Sequence, residues 1–351
     1  DEMDRQISIG AGLLQCEWNG TKLNIIDTPG YADFVGEVIG GMRAADTAAI
    51  VIDGLTGLEV GTETAWDLCE SYSMPAFMVI NRAGKEHAKV PEVLAAVQER
   101  FGIKALPIQI AVNTGVGFNT IIDIVTMKQY TYDIDGNGKG KAADIPGDYS
   151  DQASELHEKL IEAAAESDDA LMEKFFDTGL TPEEIATGVK QAILNRTLTP
   201  IIFTDAASNV GTDLLMNLIR ENIPAPDELP PTKAKSDSDE EIELNPSTDA
   251  PLGILVFKTV VEQHVGELSM FRVISGSYTA GDELYNVTQS STEKPTLIYT
   301  LVGKDKSEIK QVNAGDIGTF VKMKSTHTGD TLATKQMQFH LPPLEYPEPV
   351  M

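Results

Sequence analysis

Leu23-Asn24-Ile25-Ile26-Asp27-Thr28-Pro29-Gly30 decides the fold, because a short apolar run stops at an acidic residue and a Pro-Gly turn follows at once. The same design recurs: Ala48-Ala49-Ile50-Val51-Ile52 ends at Asp53, Ala76-Phe77-Met78-Val79-Ile80 at Asn81, and Ile201-Ile202-Phe203 at Thr204. Such runs read as buried strands, and the helical patterns between them mark an α/β domain. Ligands of an open parallel sheet bind outside the carboxyl ends of its strands. Asp27, Asn81 and the Thr204-Asp205-Ala206 turn are therefore candidates for one shared cleft. An aspartate at position 27 can hold magnesium through a water, and Gly30 lets a backbone N–H approach a terminal phosphate. A lone DxxG is common by chance; its place directly after an apolar strand gives it weight.

Outward from this core, residues 104–199 read as an inserted subdomain. Asp151 to Ala165 has a helical pattern, and Thr181-Pro182-Glu183-Glu184 is a helix start with a capping box, running to about Leu194. Residues 224–250 lose apolar periodicity: Pro224, Pro226, Pro230 and Pro231 precede a charged run from Lys235 to Glu243, the pattern of an interdomain linker. Short strands resume at Leu252, with turns at Ser275-Gly276, Ala280-Gly281-Asp282, Ala314-Gly315-Asp316 and Thr328-Gly329-Asp330, which predicts a closed β-barrel to about Leu341. The expected division is 1–223, 224–250, 251–341, and 342–351 as the start of a further link.

The chain has 351 residues, 42% of them apolar, enough for two or three cores. No run suggests a membrane span, and no signal-peptide pattern occurs. The first residue is Asp1, so the natural start is expected upstream. A net charge of −27 argues against general nucleic-acid binding, though not against docking on a ribonucleoprotein through local basic patches. Cys16 and Cys69 make no disulfide framework and no CxxC pair, which suits a reducing cytoplasm. His87, His157, His264, His327 and His340 are scattered, and no motif suggests covalent catalysis.

The run Ile25-Ile26-Asp27-Thr28-Pro29-Gly30-Tyr31-Ala32-Asp33-Phe34 resembles the γ-phosphate-sensing segment of bacterial elongation factor G. Arg5-Gln6-Ile7-Ser8-Ile9 is similar to the end of that family's first switch, and Asp53-Gly54-Leu55-Thr56-Gly57-Leu58-Glu59 to its next strand and turn. Asn81-Arg82-Ala83-Gly84 stands at its guanine-reading motif, and Ala163-Ala164-Ala165-Glu166-Ser167-Asp168 lies in its insertion. Ala314-Gly315-Asp316 and Lys324-Ser325-Thr326-His327-Thr328-Gly329-Asp330-Thr331-Leu332 resemble its second-domain barrel, and Tyr346-Pro347-Glu348-Pro349-Val350 the opening of its third domain. The ordered match over the whole chain is more specific than any single motif. It implies a P-loop-type GTPase domain with an inserted α+β subdomain, then a translation-factor barrel. It also implies GTP or GDP with Mg2+ as ligands and the ribosome as partner: ribosomal RNA, and the ribosomal stalk protein at the insertion. It implies neither DNA nor membrane, and a monomer in the cytoplasm. Asp27, Thr28, Pro29 and Gly30 would face phosphate and magnesium, Ser8 would match the magnesium-ligating switch threonine, and Asn81, Arg82, Ala83, Gly84, Asp205 and Ala206 would surround the base.

Three departures qualify the resemblance. No Gly-Lys pair is followed by Ser or Thr, so no P-loop occurs within the chain; in the family it would precede Asp1. The chain alone is therefore expected to hold no nucleotide and to be inactive. Tyr31 replaces the family's water-orienting histidine, and a phenol is a poor substitute for imidazole, so slow hydrolysis is expected. Gly84 replaces the family's guanine-reading aspartate. The nearest carboxylates in sequence logic are Glu86 and Asp205, the latter standing where the family has a serine, and weak or relaxed nucleotide binding is expected. The leading function is translocation during protein synthesis; the alternatives are a GTPase-impaired ribosome-binding regulator and a ribosomal protection factor. Asp133, Asp135, Asn137, Gly138 and Asp144 have the spacing of a calcium loop, but the flanks Thr131-Tyr132 and Ile145-Pro146 read as a hairpin rather than paired helices.

Overall fold

The structure, a computed structural model, describes residues 2–5, 7–134, 136–236, 238–262, 266–303 and 305–346. The contacts divide it into two compact units: residues 47–224, and the residues up to Asp46 together with those from Ala225. Asp135, His264 and the run from Pro347, all of which figure in the sequence reading, lie outside the described residues.

In chain order the second of these units opens with α1 (Glu2–Arg5), β1 (Gly12–Trp18), β2 (Thr21–Asp27) and α2 (Val35–Ala44). The run before Asp27 departs from its expected place in a buried parallel sheet. It is β2, paired antiparallel with β1 in a sheet of its own and only half-buried. The reason is local: Asn19 (φ 47°) and Gly20 (φ 81°) both take the left-handed conformation that a two-residue hairpin turn requires.

The unit 47–224 contains β3 (Ala48–Asp53), α3 (Val60–Ser71), β4 (Ala76–Asn81), α4 (Val90–Phe101), β5 (Ala105–Pro107), β6 (Gln109–Ala111), β7 (Thr120–Asp123), β8 (Lys128–Thr131), β9 (Lys141–Ala143), α5 (Gly147–Ala165), α6 (Asp169–Asp177), α7 (Pro182–Leu194), β10 (Thr199–Phe203) and α8 (Thr212–Asn222). The predicted runs 48–52, 76–80 and 201–203 lie in a parallel sheet ordered β3-β4-β10-β5. β5 belongs to this sheet although it falls within the expected insertion; it pairs with β10 from Thr199↔Ala105 to Ile201↔Pro107. The rest of the insertion is the antiparallel sheet β6-β7-β8-β9 with α5, α6 and α7. α5 starts at Gly147, a turn before the expected Asp151, because Pro146 sets an extended N-cap. α7 has the predicted capping box: Thr181 Oγ1 accepts from Glu184 N, and Glu184 Oε2 accepts from Thr181 N. Phe77, Val79, Ile202, Ile122, Leu160, Val189 and Ile193 share one core.

Residues 224–250 are not wholly linker. β11 (Thr232–Lys235) and β12 (Glu241–Leu244) form a hairpin, because Ala234, Ile242 and Leu244 alternate onto one apolar face. The barrel-like domain follows as β13 (Gly253–Glu262), β14 (Gly266–Ser275), β15 (Ser277–Thr279), β16 (Leu284–Asn286), β17 (Ser291–Glu293), β18 (Ile298–Val302), β19 (Asp305–Ile309), β20 (Gln311–Asn313), β21 (Ile317–Val321) and β22 (Thr331–Ala333). Eight of these form one antiparallel sheet ordered β17-β16-β22-β13-β14-β21-β18-β19, and β15 pairs with β20. Phe271 stacks on Phe320 at 3.9 Å at the centre of its core.

Leu13, Ile26 and Ala44 pack with Phe257, Met270, Leu301 and Ile317, so the β1–β2 hairpin and α2 are built onto this barrel. At Gly40 a Cβ would stand 2.8 Å from the Phe257 carbonyl oxygen, so only glycine permits the approach. Arg272 is buried and donates to the Ala44 carbonyl (2.8 Å) and to Asp46 Oδ1 (2.6 Å). Among the described residues no helix is long and apolar enough to cross a membrane.

Candidate nucleotide site

The sheet unit carries its candidate residues on the loops after β3, β4 and β10. Backbone bonds stitch these loops together. Gly54 N donates to the Asn81 carbonyl (2.8 Å), Ala83 N to the Thr204 carbonyl (3.1 Å), and Gly115 N to the Ala83 carbonyl (2.7 Å). Asn81 Oδ1 accepts from Thr204 Oγ1 (3.1 Å) and from Ala206 N (3.0 Å). Its amide NH2, with two donors, has no partner among the described residues. The Asn81-to-Ala206 proximity expected from strand ends is thus realised.

Arg82 holds a left-handed backbone (φ 63°) and donates to Asp53 Oδ2 (2.5 Å), while Asp53 Oδ1 accepts from Leu55 N (2.8 Å). The guanidinium braces two loops rather than standing free. Ala83 is fully buried. At Gly84 the finding is unexpected. The Asp205 carboxylate lies against it, Oδ2 accepting from Gly84 N at 2.8 Å and Oδ1 from Ser208 N at 3.1 Å. A Cβ at position 84 would stand 2.5 Å from Asp205 Oδ2. Glu86, the other nearby carboxylate in sequence, is exposed.

The other unit carries Ser8 and the Asp27-to-Tyr31 turn. Asp27 ends β2 opposite Gly12. Burial, and then the Glu2 carboxylate, push the Asp27 carboxyl above its usual range. Thr28 packs where a Cβ on Gly41 would meet its Cγ2 at 2.8 Å, which seats the turn on α2. Pro29 is buried, whereas a Cβ built on Gly30 meets nothing within 4 Å. Tyr31 is 59% exposed, and its carbonyl accepts from Phe34 N at 3.0 Å. Ser8 is half-buried beside Ile9 and Gly10, whose N–H groups donate to Glu2 Oε1 (2.8 and 3.2 Å).

α2 and the segment before β1 are clamped from the barrel, a feature with no sequence motif. Lys258 Nζ donates to Glu37 Oε2 (2.7 Å) and to the Ala11 carbonyl (2.9 Å), and Ala11 N donates to the same Glu37 oxygen (2.7 Å). A lysine in an apolar strand run is the one available signal.

The acidic loop near Gly138 is a hairpin between β8 and β9. Asp144 is engaged by Lys128 (2.7 Å), and Asn137 Oδ1 accepts from Lys139 N (3.2 Å). Among the described residues no cluster of His, Cys, Asp or Glu could hold a metal unaided.

Parallel strands that end in stitched polar loops place a ligand site of an open α/β sheet outside their carboxyl ends. The family model described as the elongation factor Tu GTP binding domain matches residues 1–225, and the model of elongation factor G domain 2 matches residues 251–335. The chain belongs to the elongation factor G-like translational GTPases. A crystal structure of a protein from Thermus thermophilus is similar, with 25% identity and a TM-score of 0.84 over 96% of this chain. The chain spans 48% of that protein's length.

The implied magnesium fits this donor set. Asp27 is an exposed carboxylate with no hydrogen-bond partner among the described residues, and partial desolvation, then the Glu2 carboxylate, raise its pKa, which a cation would offset. The Ser8 hydroxyl likewise has no partner among the described residues, and both are hard oxygen donors.

Proposed function

We propose that the full-length protein binds GTP with magnesium and works on the ribosome during protein synthesis, in translocation. Asp27 and Ser8 would hold magnesium, which neutralises charge on the transferring phosphoryl group. Thr28, Pro29 and Gly30 would present backbone to the γ-phosphate, and Asn81, Arg82, Ala83, Gly84, Asp205 and Ala206 would surround the base. The observation that carries this reading is the pair of family matches, in order, over both domains. The domain reading 1–223, with an insertion at about 104–199, and 251–341 goes with it. So do ribosomal RNA and the stalk protein as partners, a monomeric state and the cytoplasm as its place. The test is nucleotide binding by the full-length protein, followed by single-turnover GTP hydrolysis with and without ribosomes. Tight guanine-nucleotide binding with ribosome-stimulated hydrolysis is expected; no nucleotide binding and no ribosome association would overturn the proposal.

A second reading, a ribosome-binding regulator with impaired hydrolysis, is favoured by Tyr31. An exposed phenol cannot take a proton at neutral pH as imidazole can. GTP-dependent ribosome binding without stimulated hydrolysis would select it.

A further inference from the structure

The contact between Gly84 and Asp205 joins residues far apart in the chain and brings an acidic side chain to the crevice where β4 and β10 end. We propose that Asp205 is the residue that reads the base, and that it selects guanine through two adjacent N–H donors. This inference rests on the GTP-binding reading and specifies what confers its selectivity.

Three observations carry it. First, the Asp205 carboxylate occupies the space in which a side chain at position 84 would begin: a Cβ there would lie 2.5 Å from Oδ2 and 3.1 Å from Cγ. The absence of a side chain at one loop and the presence of a carboxylate on the other are one arrangement. Second, the carboxylate is underused. A carboxylate offers about four acceptor positions. Gly84 N and Ser208 N fill one on each oxygen, and among the described residues no cationic side chain pairs with it. Asp205 is 4% exposed, and a buried charge with unfilled acceptors favours a donor partner. Third, the neighbouring Asn81 offers the opposite polarity beside it. The Asn81 oxygen is saturated by Thr204 and Ala206, which leaves two amide N–H donors.

A carboxylate with one free acceptor on each oxygen matches two neighbouring N–H groups. Guanine presents them as N1–H and the 2-amino group. Adenine presents an acceptor at N1, which a carboxylate repels. Hypoxanthine lacks the 2-amino group, and xanthine replaces it with an oxygen. The acceptor edge of guanine, N7 and O6, suits the free amide of Asn81.

The test is equilibrium binding of GTP, ITP, XTP and ATP to the full-length protein, with Asp205→Asn and the paired exchange Gly84→Asp/Asp205→Ser, each checked for folding by circular dichroism. The wild-type protein is expected to prefer GTP over ITP by roughly 10–100-fold, the worth of a hydrogen bond to a charged group. Asp205→Asn is expected to lose that preference and gain XTP, because its amide donates where xanthine accepts. The paired exchange is expected to restore GTP preference, whereas Gly84→Asp alone fails because its Cβ meets the carboxylate. Equal binding of GTP and ITP by the wild type would overturn the inference while leaving nucleotide binding intact. So would an Asp205→Asn loss of the same factor for GTP, ITP and XTP, the mark of a loop brace. Absence of any nucleotide binding by the wild type would overturn the functional reading itself, and the inference with it.

Discussion

Lys258→Met tests how the barrel holds α2 and the segment before β1. The substitution keeps the length of the side chain and removes the ammonium that joins Glu37 Oε2 to the Ala11 carbonyl. The Lys258 side chain is 11% exposed and that of Glu37 32%. Breaking a fully buried ion pair costs about 3–5 kcal/mol. Water reaches the Glu37 side, so the pair is worth less, and a loss of about 2 kcal/mol is expected. Glu37→Gln should cost about 1 kcal/mol, because its amide oxygen still accepts from Ala11 N. The double variant should cost less than the sum, with a coupling of about 1 kcal/mol. Trp18 lies in β1, and the chain has only 2 tryptophans. In a Trp66→Phe background its fluorescence therefore follows guanidinium unfolding of this unit. Native-state hydrogen exchange at the Ala11 amide provides the local readout and should accelerate in both single variants. A loss under about 0.5 kcal/mol with unchanged Ala11 exchange would refute the clamp, since two charge-assisted bonds cannot vanish from a site this buried without cost.

Arg272→Met leaves the buried Ala44 carbonyl and Asp46 without their donor and should cost about 2–4 kcal/mol in denaturant unfolding; Arg272→Lys should recover only part, since one ammonium cannot reproduce the fork. Asp123 is pushed above the usual carboxylate range by burial, partly offset by bonds from Thr126, with Glu221 and Asp213 adding to the rise. A raised folded pKa contributes stability below the unfolded value of about 4 and loses it as pH rises through the folded value. Asp123→Asn, whose oxygen can still accept from Thr126, should therefore stabilise the protein at neutral pH, with the gain shrinking as pH falls through the folded value and gone by about pH 4 in thermal melts. Burial pushes the Cys69 thiol up to about 12, whereas Cys16 is half-buried. Titration with a thiol reagent at pH 8 should show one faster thiol, lost in Cys16→Ser, and one that reacts only on unfolding.

What is legible in the sequence is what is local. β4 and β10 are buried throughout their runs, so they read as continuous apolar stretches ending in Asn81 and Thr204. The α7 cap lies within four residues of chain and is readable from Thr181 and Glu184 alone. β1 escapes a reading by pattern although Asn19-Gly20 marks its hairpin, because its half-buried residues show no clean alternation. The hairpin in 224–250 is hidden by its charged faces, with Ala234 and Leu244 as the only fully buried apolar residues. The Gly84–Asp205 contact spans 121 positions and has no sequence signature. In the sequence, Gly84 reads as a loss; in the fold its missing side chain makes room for a carboxylate.

That difference has a structural cause. The loops after β3, β4 and β10 are held chiefly by main-chain bonds: Gly54 to Asn81, Ala83 to Thr204, Gly115 to Ala83, and Asp205 N and Val210 N each to the other's carbonyl at 3.0 Å. Main-chain bonds are indifferent to side-chain identity, so much of the path of these loops does not depend on which side chains they carry. Side chains add to this frame where the Asn81 oxygen accepts from Thr204 and Ala206, where Arg82 donates to Asp53, and where Asp205 accepts from Gly84 N and Ser208 N. Gly84 is thus not read by itself, because the facing loop sets the Asp205 carboxylate against it at 2.8 Å.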